Sequence, residues 1–256
     1  MMLTVSGCAS DQPGTGPAPR LGSDSSRAPA LTGALTVFAA ASLTESFSDL
    51  RATLKASAPG LALTYSFGAS GPLVSQVIQG APADVIATAD EVTMKRLTDA
   101  SLVEAPVIFA RNQLEILVAP GNPRGVKALA DLARSDLKVV LADDTVPAGR
   151  YAAEALAAAG TTVSPVSREV DVKSAAAKVI LGEADATIVY VTDVTAAGSR
   201  GEGIAIPPAF NVVAEYPLAI VKEAPNRAAA AALVESLVEG AGQDALRRRG
   251  FLPPPR

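Results

Sequence analysis

Histidine is absent from this chain of 256 residues, and cysteine occurs once. The missing histidine removes the usual general base, the usual activator of a nucleophile and the commonest metal ligand. Ser-His-Asp triads and histidine–metal sites are therefore excluded. A single cysteine also excludes an intrachain disulfide and any cluster of cysteine ligands for zinc or iron–sulfur groups.

Positive charge and long apolar runs are also scarce. The 22 basic residues are outnumbered by 26 acidic ones, which gives a net charge of -4, and they form no stripe that would follow a phosphate backbone. This argues against nucleic acid as a partner. No segment reaches the roughly 20 apolar residues of a transmembrane helix. Hydrophobic residues still make up 49% of the chain, enough for one large core or two modest ones.

The single cysteine lies in a short motif near the start. The run Val5-Ser6-Gly7-Cys8 resembles the lipobox at which bacterial prolipoproteins are cleaved and lipidated. Positions 9–31 contain 11 Gly, Pro or Ser residues among 23, a composition typical of a flexible tether. Only seven residues precede Cys8, too few for a complete signal peptide. We therefore predict a truncated lipoprotein signal and linker over 1–32, the alternative being an ordinary cysteine in a disordered tail.

From residue 33 onward, short apolar runs alternate with alanine-rich helical patterns, which predicts an α/β fold. Strands are predicted at 34–40, 61–67, 84–89, 114–120, 138–143, 186–191 and 212–221. Helices are predicted at 43–57, 72–80, 91–99, 127–134, 148–159, 172–182, 226–239 and 242–249. The strands at 114–120 and 212–221 have the pattern of crossings between lobes. This predicts a first lobe at 33–115, a second lobe at 116–212 and a return of 213–256 to the first.

Four predicted junctions share one pattern, in which a strand leads directly into the start of a helix. They contain Ser42, Ser70, Ala148 and Val172. Each exposes backbone N–H groups that its helix cannot satisfy. Several helix N-termini aimed at one point would hold a small dianion without lysine or arginine. Ser42 has a competing interpretation, because Ser42-Leu-Thr-Glu45 fits a capping box. Tyr190 would add a hydroxyl at the end of a further strand, although such tyrosines are often only half-buried strand aromatics.

Several stretches together resemble the ModA-type molybdate-binding proteins of bacterial ABC importers. They are VFAAASLTESF, FGASGPLVSQVIQGAPADVIATAD, VPAGRYAAEAL, VDVKSAAAKVILGEADATIVYVTD and EYPLAIV, in the family's order over about 33–252. The resemblance implies a type II periplasmic-binding-protein fold. In that fold two lobes, each a mixed and mostly parallel sheet flanked by helices, are joined by two hinge strands.

The resemblance also implies a function. Molybdate, and tungstate with it, would be held by the hydroxyls of Ser42, Ser70 and Tyr190 and by the backbone amides of Ala148 and Val172. No catalytic residue, cofactor or free metal cation is implied, and no reaction follows binding. The partners would be an ABC permease and its ATPase subunit. The protein would be a monomer in the periplasm or at the cell surface, held to the membrane only by lipid on Cys8.

Three alternatives remain open: a binding protein for sulfate, thiosulfate, phosphate or an organic anion; an anion sensor or structural lipoprotein; and an enzyme using Ser42 or Ser70. The enzyme would need a lysine or carboxylate base, and no G-x-S-x-G or S-x-x-K frames either serine. A pocket of donors suits a fully deprotonated dianion better than hydrogen phosphate. Acidic residues near the junctions are therefore expected to cap helices or face solvent: Asp143, Asp144 and Asp171. For the neighbouring cations Arg150 and Lys173, we weigh anion contact against a solvated helix-face charge.

Overall fold

Among the described residues, the first strand begins at Gly33, just after the predicted tether. The computed structural model describes residues 31–255 together with Met2 and Thr4. Cys8 and most of the predicted tether lie outside the described residues. Among the described helices, none has both the length and the apolar composition needed to cross a bilayer.

Strands and helices alternate along the described residues, as the sequence pattern predicts. The strands are β1 (Gly33–Ala40), β2 (Leu61–Gly68), β3 (Val85–Ala87), β4 (Val107–Val118), β5 (Val140–Ala142), β6 (Ser167–Glu169), β7 (Ala186–Tyr190), β8 (Glu202–Ala205) and β9 (Val213–Ile220). The α-helices are α1 (Thr44–Ser57), α2 (Ser70–Ile78), α3 (Glu91–Asp99), α4 (Pro147–Ala158), α5 (Val172–Ile180), α6 (Val191–Ala197), α7 (Arg227–Glu239) and α8 (Ala241–Arg248). Short 3-10 helices lie at Ala41–Leu43, Leu129–Ala133 and Gly198–Arg200.

One large sheet has the strand order β2-β1-β3-β9-β4-β7, with β8 also paired to β4. Strands β1, β2 and β3 run parallel, whereas β9 is antiparallel to both β3 and β4. The long strand β4 pairs with β9 through its first part and with β7 and β8 through its second. Strands β5 and β6 form a parallel pair. A parallel bridge between Val139 and Ala186 links the start of that pair to β7.

Parallel pairing brings the strand ends together in two groups. The carboxyl ends of β1, β2 and β3 lie at one edge of their part of the sheet, because these three strands run in the same direction. The carboxyl ends of β5, β6 and β7 share an edge for the same reason. In open α/β sheets ligands bind beyond such carboxyl ends. The functional site is therefore to be sought at the loops that follow these six strands.

The core consists of strand residues covered by helices on both faces. All residues of β3 are buried, as expected for a central strand between two helical layers. Helix α1 places Phe47 and Leu50 in the core, both with no exposed surface. Phe47 also lies 6.2 Å from the ring of Phe109 on β4, measured between centroids. Packing of this kind holds the strand ends in fixed positions.

The structure differs from the predicted elements at several places. Strand β4 begins at Val107 rather than 114, because its polar residues Arg111–Gln113 pair with β9. The predicted helix 127–134 is a 3-10 helix over Leu129–Ala133. Helix α2 begins at Ser70, so Pro72 is its third residue and not its first. Two strands and one helix were missed: β6, β8 and α6. Each is short, and β6 and β8 depend on pairing with a distant neighbour.

Candidate functional site

Ser42 lies just beyond the carboxyl end of β1, inside the 3-10 helix Ala41–Leu43. Its side chain is buried, and its Oγ lies 2.9 Å from the hydroxyl of Tyr216 on β9. The capping-box interpretation is wrong. Ser42 makes its side-chain hydrogen bond to Tyr216, and the carboxylate of Glu45 accepts a hydrogen bond from Lys173 at 2.6 Å. The Ser42 hydroxyl is thus placed by tertiary structure, not by helix capping.

Ser70 is the first residue of α2 and follows the end of β2. It is almost completely buried, and its Oγ accepts a hydrogen bond from the backbone N–H of Ala89 at 3.1 Å. Ala89 comes just after β3, so this bond joins the segments that follow β2 and β3, the two strands on either side of β1. A hydroxyl that accepts from a backbone N–H keeps its own proton for another acceptor.

Ala148 and Val172 are helix-start residues on the other group of strand ends. Ala148 is the second residue of α4, and Val172 is the first residue of α5. The first helical hydrogen bond of α4 comes from the N–H of Arg150, so the N–H of Ala148 has no acceptor within its helix. Gly149 allows this helix start to pack closely, because a Cβ there would overlap the carbonyl group of Asp143.

Tyr190 ends β7 and is buried, with 1% of its surface exposed. Among the described residues its hydroxyl makes no hydrogen bond of good geometry, although the Tyr216 side chain lies beside it. Burial raises the pKa of the phenol well above its ordinary value, so the group stays neutral and keeps its proton. Buried hydroxyls are nearly always hydrogen-bonded in folded proteins. An unpartnered one at this position therefore indicates a ligand acceptor.

All five predicted residues line one small cavity of about 20 Å³. The described residues that line it are Ala40, Ala41, Ser42, Gly68, Ala69, Ser70, Ala89, Val146, Pro147, Ala148, Asp171, Val172 and Tyr190. None of these is lysine or arginine. A single water needs roughly 10–15 Å³ of such space, and pockets for drug-sized ligands measure about 300–1,000 Å³. The cavity thus suits a ligand of only a few atoms.

Three of the described helix starts at the cavity have no side-chain cap, whereas that of α5 is capped by Asp171. The helices that begin at Ala41, Ser70 and Pro147 are preceded by alanine or valine, and no side chain caps them. Helices α3 and α7, which begin elsewhere, are capped by the side chains of Asp90 and Asn226. Uncapped helix starts leave backbone N–H donors and the positive end of the helix dipole available to an anion.

Of the acidic residues near the cavity, Asp171 caps a helix and Asp144 faces solvent, as expected, whereas Asp143 accepts hydrogen bonds within its own turn. Asp171 caps α5, where its carboxylate accepts from the N–H of Ser174 at 2.7 Å. Asp143 accepts from the hydroxyl and the N–H of Thr145, and these bonds lower the pKa of its carboxyl group. Asp144 is exposed, 4.0 Å from Arg168.

The two neighbouring cations, Arg150 and Lys173, are paired with carboxylates. They are therefore not the solvated helix-face charges considered above, and neither lines the cavity. Arg150 donates to the buried carboxylate of Asp90 at the start of α3, and to the Thr93 hydroxyl at 3.1 Å. Lys173 pairs with Glu45 and with Asp193, at 2.6 and 3.1 Å.

The Lys173 ammonium group remains charged in this cluster. Burial by itself would lower the pKa of Lys173, but the carboxylates of Asp193 and Glu45 outweigh it and raise that pKa. Lys173 therefore serves as a fixed positive partner for two acidic side chains.

Two residues beside the site were missed at the sequence level. Asp90 lies between β3 and α3, at a strand-to-helix junction like the four predicted ones. That pattern could have identified Asp90 as a residue near the site. Tyr216 lies within the predicted strand 212–221, where its apolar neighbours make it look like a core aromatic. Its contact with Ser42 spans 174 positions and has no local signal.

Comparisons with known proteins agree with this geometry. The family model described as bacterial extracellular solute-binding protein matches residues 35–252. The molybdate-binding protein ModA of Mycobacterium tuberculosis (strain ATCC 25618 / H37Rv) is 36% identical over 249 residues, covering 96% of this chain and 92% of that protein.

Solved structures show the same fold. The periplasmic molybdate-binding protein of Azotobacter vinelandii matches with a TM-score of 0.76 at 20% identity, covering 86% of this chain and all of that one. The sulfate-binding protein SubI of Mycobacterium tuberculosis H37Rv also gives 0.76, at 21% identity and 86% coverage of both chains. The fold is that of the type II periplasmic binding proteins. The chain belongs to the bacterial extracellular solute-binding proteins, in the family of the molybdate-binding protein ModA.

Proposed function

We propose that the cavity binds one tetrahedral oxyanion, molybdate, without any reaction following. The observation that carries this proposal is the convergence of neutral donors on a space of a few atoms. The hydroxyls of Ser42, Ser70 and Tyr190 supply three donors, and the amides of Ala148 and Val172 supply two more. The buried Tyr190 hydroxyl without a partner is the strongest single indication of a missing acceptor.

The charge pattern supports a dianion as the ligand. The helix starts at Ser70, Ala148 and Val172 each bring about half a positive charge to one point, so an anion can bind with no lysine or arginine in contact. A protonated anion such as hydrogen phosphate would need an acceptor for its proton. Asp171 lines the cavity and caps α5 through one carboxylate oxygen, and we propose that its other oxygen points away from the anion. Leaving that proton unpaired in a buried site would weaken the binding of phosphate.

Molybdate is proposed over other dianions on the strength of the curated relatives. The protein that shares 36% identity over nearly the whole chain is named for molybdate. Tungstate has the same charge and shape, and we propose that it binds as well. Sulfate is the second candidate, because a sulfate-binding protein shares the fold with an equal TM-score.

We further propose that residues 33–115 and 213–256 form one lobe and residues 116–212 the other, with β4 and β9 as hinge strands. The cavity would then lie between the lobes, with Ser42 and Ser70 on one side and Ala148, Val172 and Tyr190 on the other. Two ion pairs would span the closed cleft, Arg150 with Asp90 and Lys173 with Glu45. These ion pairs would stabilise the closed arrangement of the lobes around the bound anion.

The remaining parts of the proposal concern delivery. We infer that the loaded, monomeric protein passes its anion to an ABC permease driven by an ATPase subunit, outside the cytoplasm. Family membership supports this transport role. We also propose that Cys8 is lipidated and anchors the protein to the membrane, on the basis of its lipobox-like sequence.

Isothermal titration calorimetry of the purified protein with molybdate, tungstate, sulfate and phosphate tests the ligand. We expect one site per chain, tight binding of molybdate and tungstate, and weak or undetectable binding of sulfate and phosphate. Ser70→Ala should weaken molybdate binding. Tight sulfate binding without molybdate binding would contradict the assignment and establish the second candidate.

A further inference from the structure

A second tyrosine, Tyr216, stands behind the cavity without lining it. It lies on β9, has no exposed surface, and its Oη is 2.9 Å from the Oγ of Ser42. Strand β9 runs between β3 and β4, so this contact reaches Ser42 from the centre of the sheet.

The ring of Tyr216 is held in place by aromatic neighbours. Phe109, Tyr190 and Phe251 pack against it edge to face, with ring centroids 6.5, 5.8 and 5.3 Å away. Edge-to-face packing on three sides leaves the ring little freedom to turn. The hydroxyl is therefore presented to Ser42 from a fixed position.

Either oxygen of the pair formed by Ser42 and Tyr216 can be the donor, and the direction depends on what occupies the cavity. Burial raises the pKa of Tyr216 far above its ordinary value, so the phenol keeps its proton. A buried O–H needs an acceptor, and Ser42 Oγ, 2.9 Å away, is placed to accept from this hydroxyl, which also has the side chains of Asn112 and Tyr190 beside it. An anion in the cavity can only accept, so the arrangement that makes Ser42 a ligand donor is the one in which Tyr216 donates to Ser42. The proton of Ser42 is then free to point into the cavity.

Ser70 is arranged in the same way by a different group. Its Oγ accepts from the N–H of Ala89 at 3.1 Å, which leaves its own proton free. Both cavity serines thus receive one hydrogen bond from a buried protein donor. A serine hydroxyl can rotate and can act as either donor or acceptor. A fixed donor behind each serine favours the orientation in which the serine donates to the ligand.

We propose that Tyr216 is a positioning residue for anion binding: its hydroxyl holds the Ser42 hydroxyl as a donor directed into the cavity. This inference rests on the proposed oxyanion function of the cavity. Tyr216 does not touch the ligand and acts only through Ser42. The part of the binding energy that depends on Tyr216 should therefore disappear when Ser42 is removed.

A double-mutant cycle with molybdate as the probe tests this inference. Tyr216→Phe removes the hydroxyl and keeps the packed ring. Alone, it should weaken molybdate binding about three- to tenfold, the effect of losing one neutral hydrogen bond. In a Ser42→Ala background the same change should alter affinity less than twofold. Tyr65→Phe is the matched control, because the Tyr65 hydroxyl is also buried, has no partner among the described residues and lies on β2 outside the cavity. It should leave affinity unchanged.

Thermal unfolding of each ligand-free variant shows whether the fold is kept. An equal loss of affinity from Tyr216→Phe in both backgrounds would overturn the inference, since it would mean a general effect on structure. Unchanged affinity of the single variant would overturn it as well. Failure of the wild-type protein to bind any tested oxyanion would instead refute the proposed function, so the two failures are distinguishable.

Discussion

Breaking the ion pair between Arg150 and Asp90 should speed release of the bound anion. Asp90 caps α3, just after β3, in the proposed first lobe, and Arg150 lies on α4 of the proposed second lobe. If the lobes must separate for the anion to leave, the pair must break during release. Arg150→Met removes the charge and keeps most of the aliphatic side chain.

The size of the effect follows from the burial of the two side chains. The Asp90 side chain is 2% exposed, and that of Arg150 is 28% exposed. Fully exposed pairs contribute about 0.2–1 kcal/mol, whereas removing one partner of a buried pair costs about 3–5 kcal/mol. A pair with one buried member lies between these limits, at about 1–3 kcal/mol. This corresponds to release that is about 5- to 150-fold faster.

Dissociation can be measured by chasing radiolabelled molybdate with an excess of unlabelled molybdate. Asp90→Asn separates the two roles of Asp90, because asparagine still caps the N–H of Thr93 but carries no charge. It should also accelerate release. Lys95→Met is the matched control, since it removes an exposed pair with Asp99 on α3 and should change nothing. A dissociation rate for Arg150→Met within twofold of the wild type would refute the reasoning.

Two further predictions concern single side chains. Tyr190→Phe should weaken molybdate binding about 10- to 100-fold, because a hydrogen bond to a charged group is lost, while calorimetric melting of the ligand-free protein stays unchanged or rises. A lower melting temperature with unchanged affinity would contradict its role as a ligand donor. The side-chain hydrogen bond from Arg249 lowers the pKa of Asp49 below 3.8, so this pair stabilises the protein above that pH and is lost as pH falls through the lowered pKa. Asp49→Asn should therefore lower the melting temperature by about 1–3 °C at pH 7, a small effect because the pair is partly exposed. The difference in melting temperature between the wild type and the variant should disappear in strong acid. A difference that does not change with pH would exclude the ion pair as its cause.

The local pattern of the sequence was sufficient for most of the fold. Helix α3 was predicted at 91–99, and the structure has it at Glu91–Asp99. Four of the five candidate residues lie at strand-to-helix junctions with a recognisable composition of small residues, serine and proline, and the resemblance to the ModA-type proteins gave all five their roles. The order of parallel strands then brings those starts to a common edge. This is a property of the fold class and can be foreseen from alternating strands and helices.

Elements stabilised by distant partners could not be foreseen in the same way. The first half of β4 contains Arg111, Asn112 and Gln113, which interrupt the apolar pattern and are stabilised by pairing with β9. Strand β6, with the sequence SRE, has no pattern of its own and exists because β5 lies beside it. Hydrophobic periodicity reports which face of a segment is buried, but it does not report which other segment covers that face.

The sequence by itself determined the class of site: small helix-start residues, hydroxyls and backbone donors, with no histidine to perform catalysis. Only the tertiary structure decided how those donors are held. Ser42 looked like a helix cap and instead shares a hydrogen bond with Tyr216, 174 positions away. Arg150 looked like a free cation near the ligand and instead pairs with Asp90, 60 positions away. Both outcomes depend on which buried groups meet after the chain folds, because a buried donor or charge must find a partner wherever the packing supplies one.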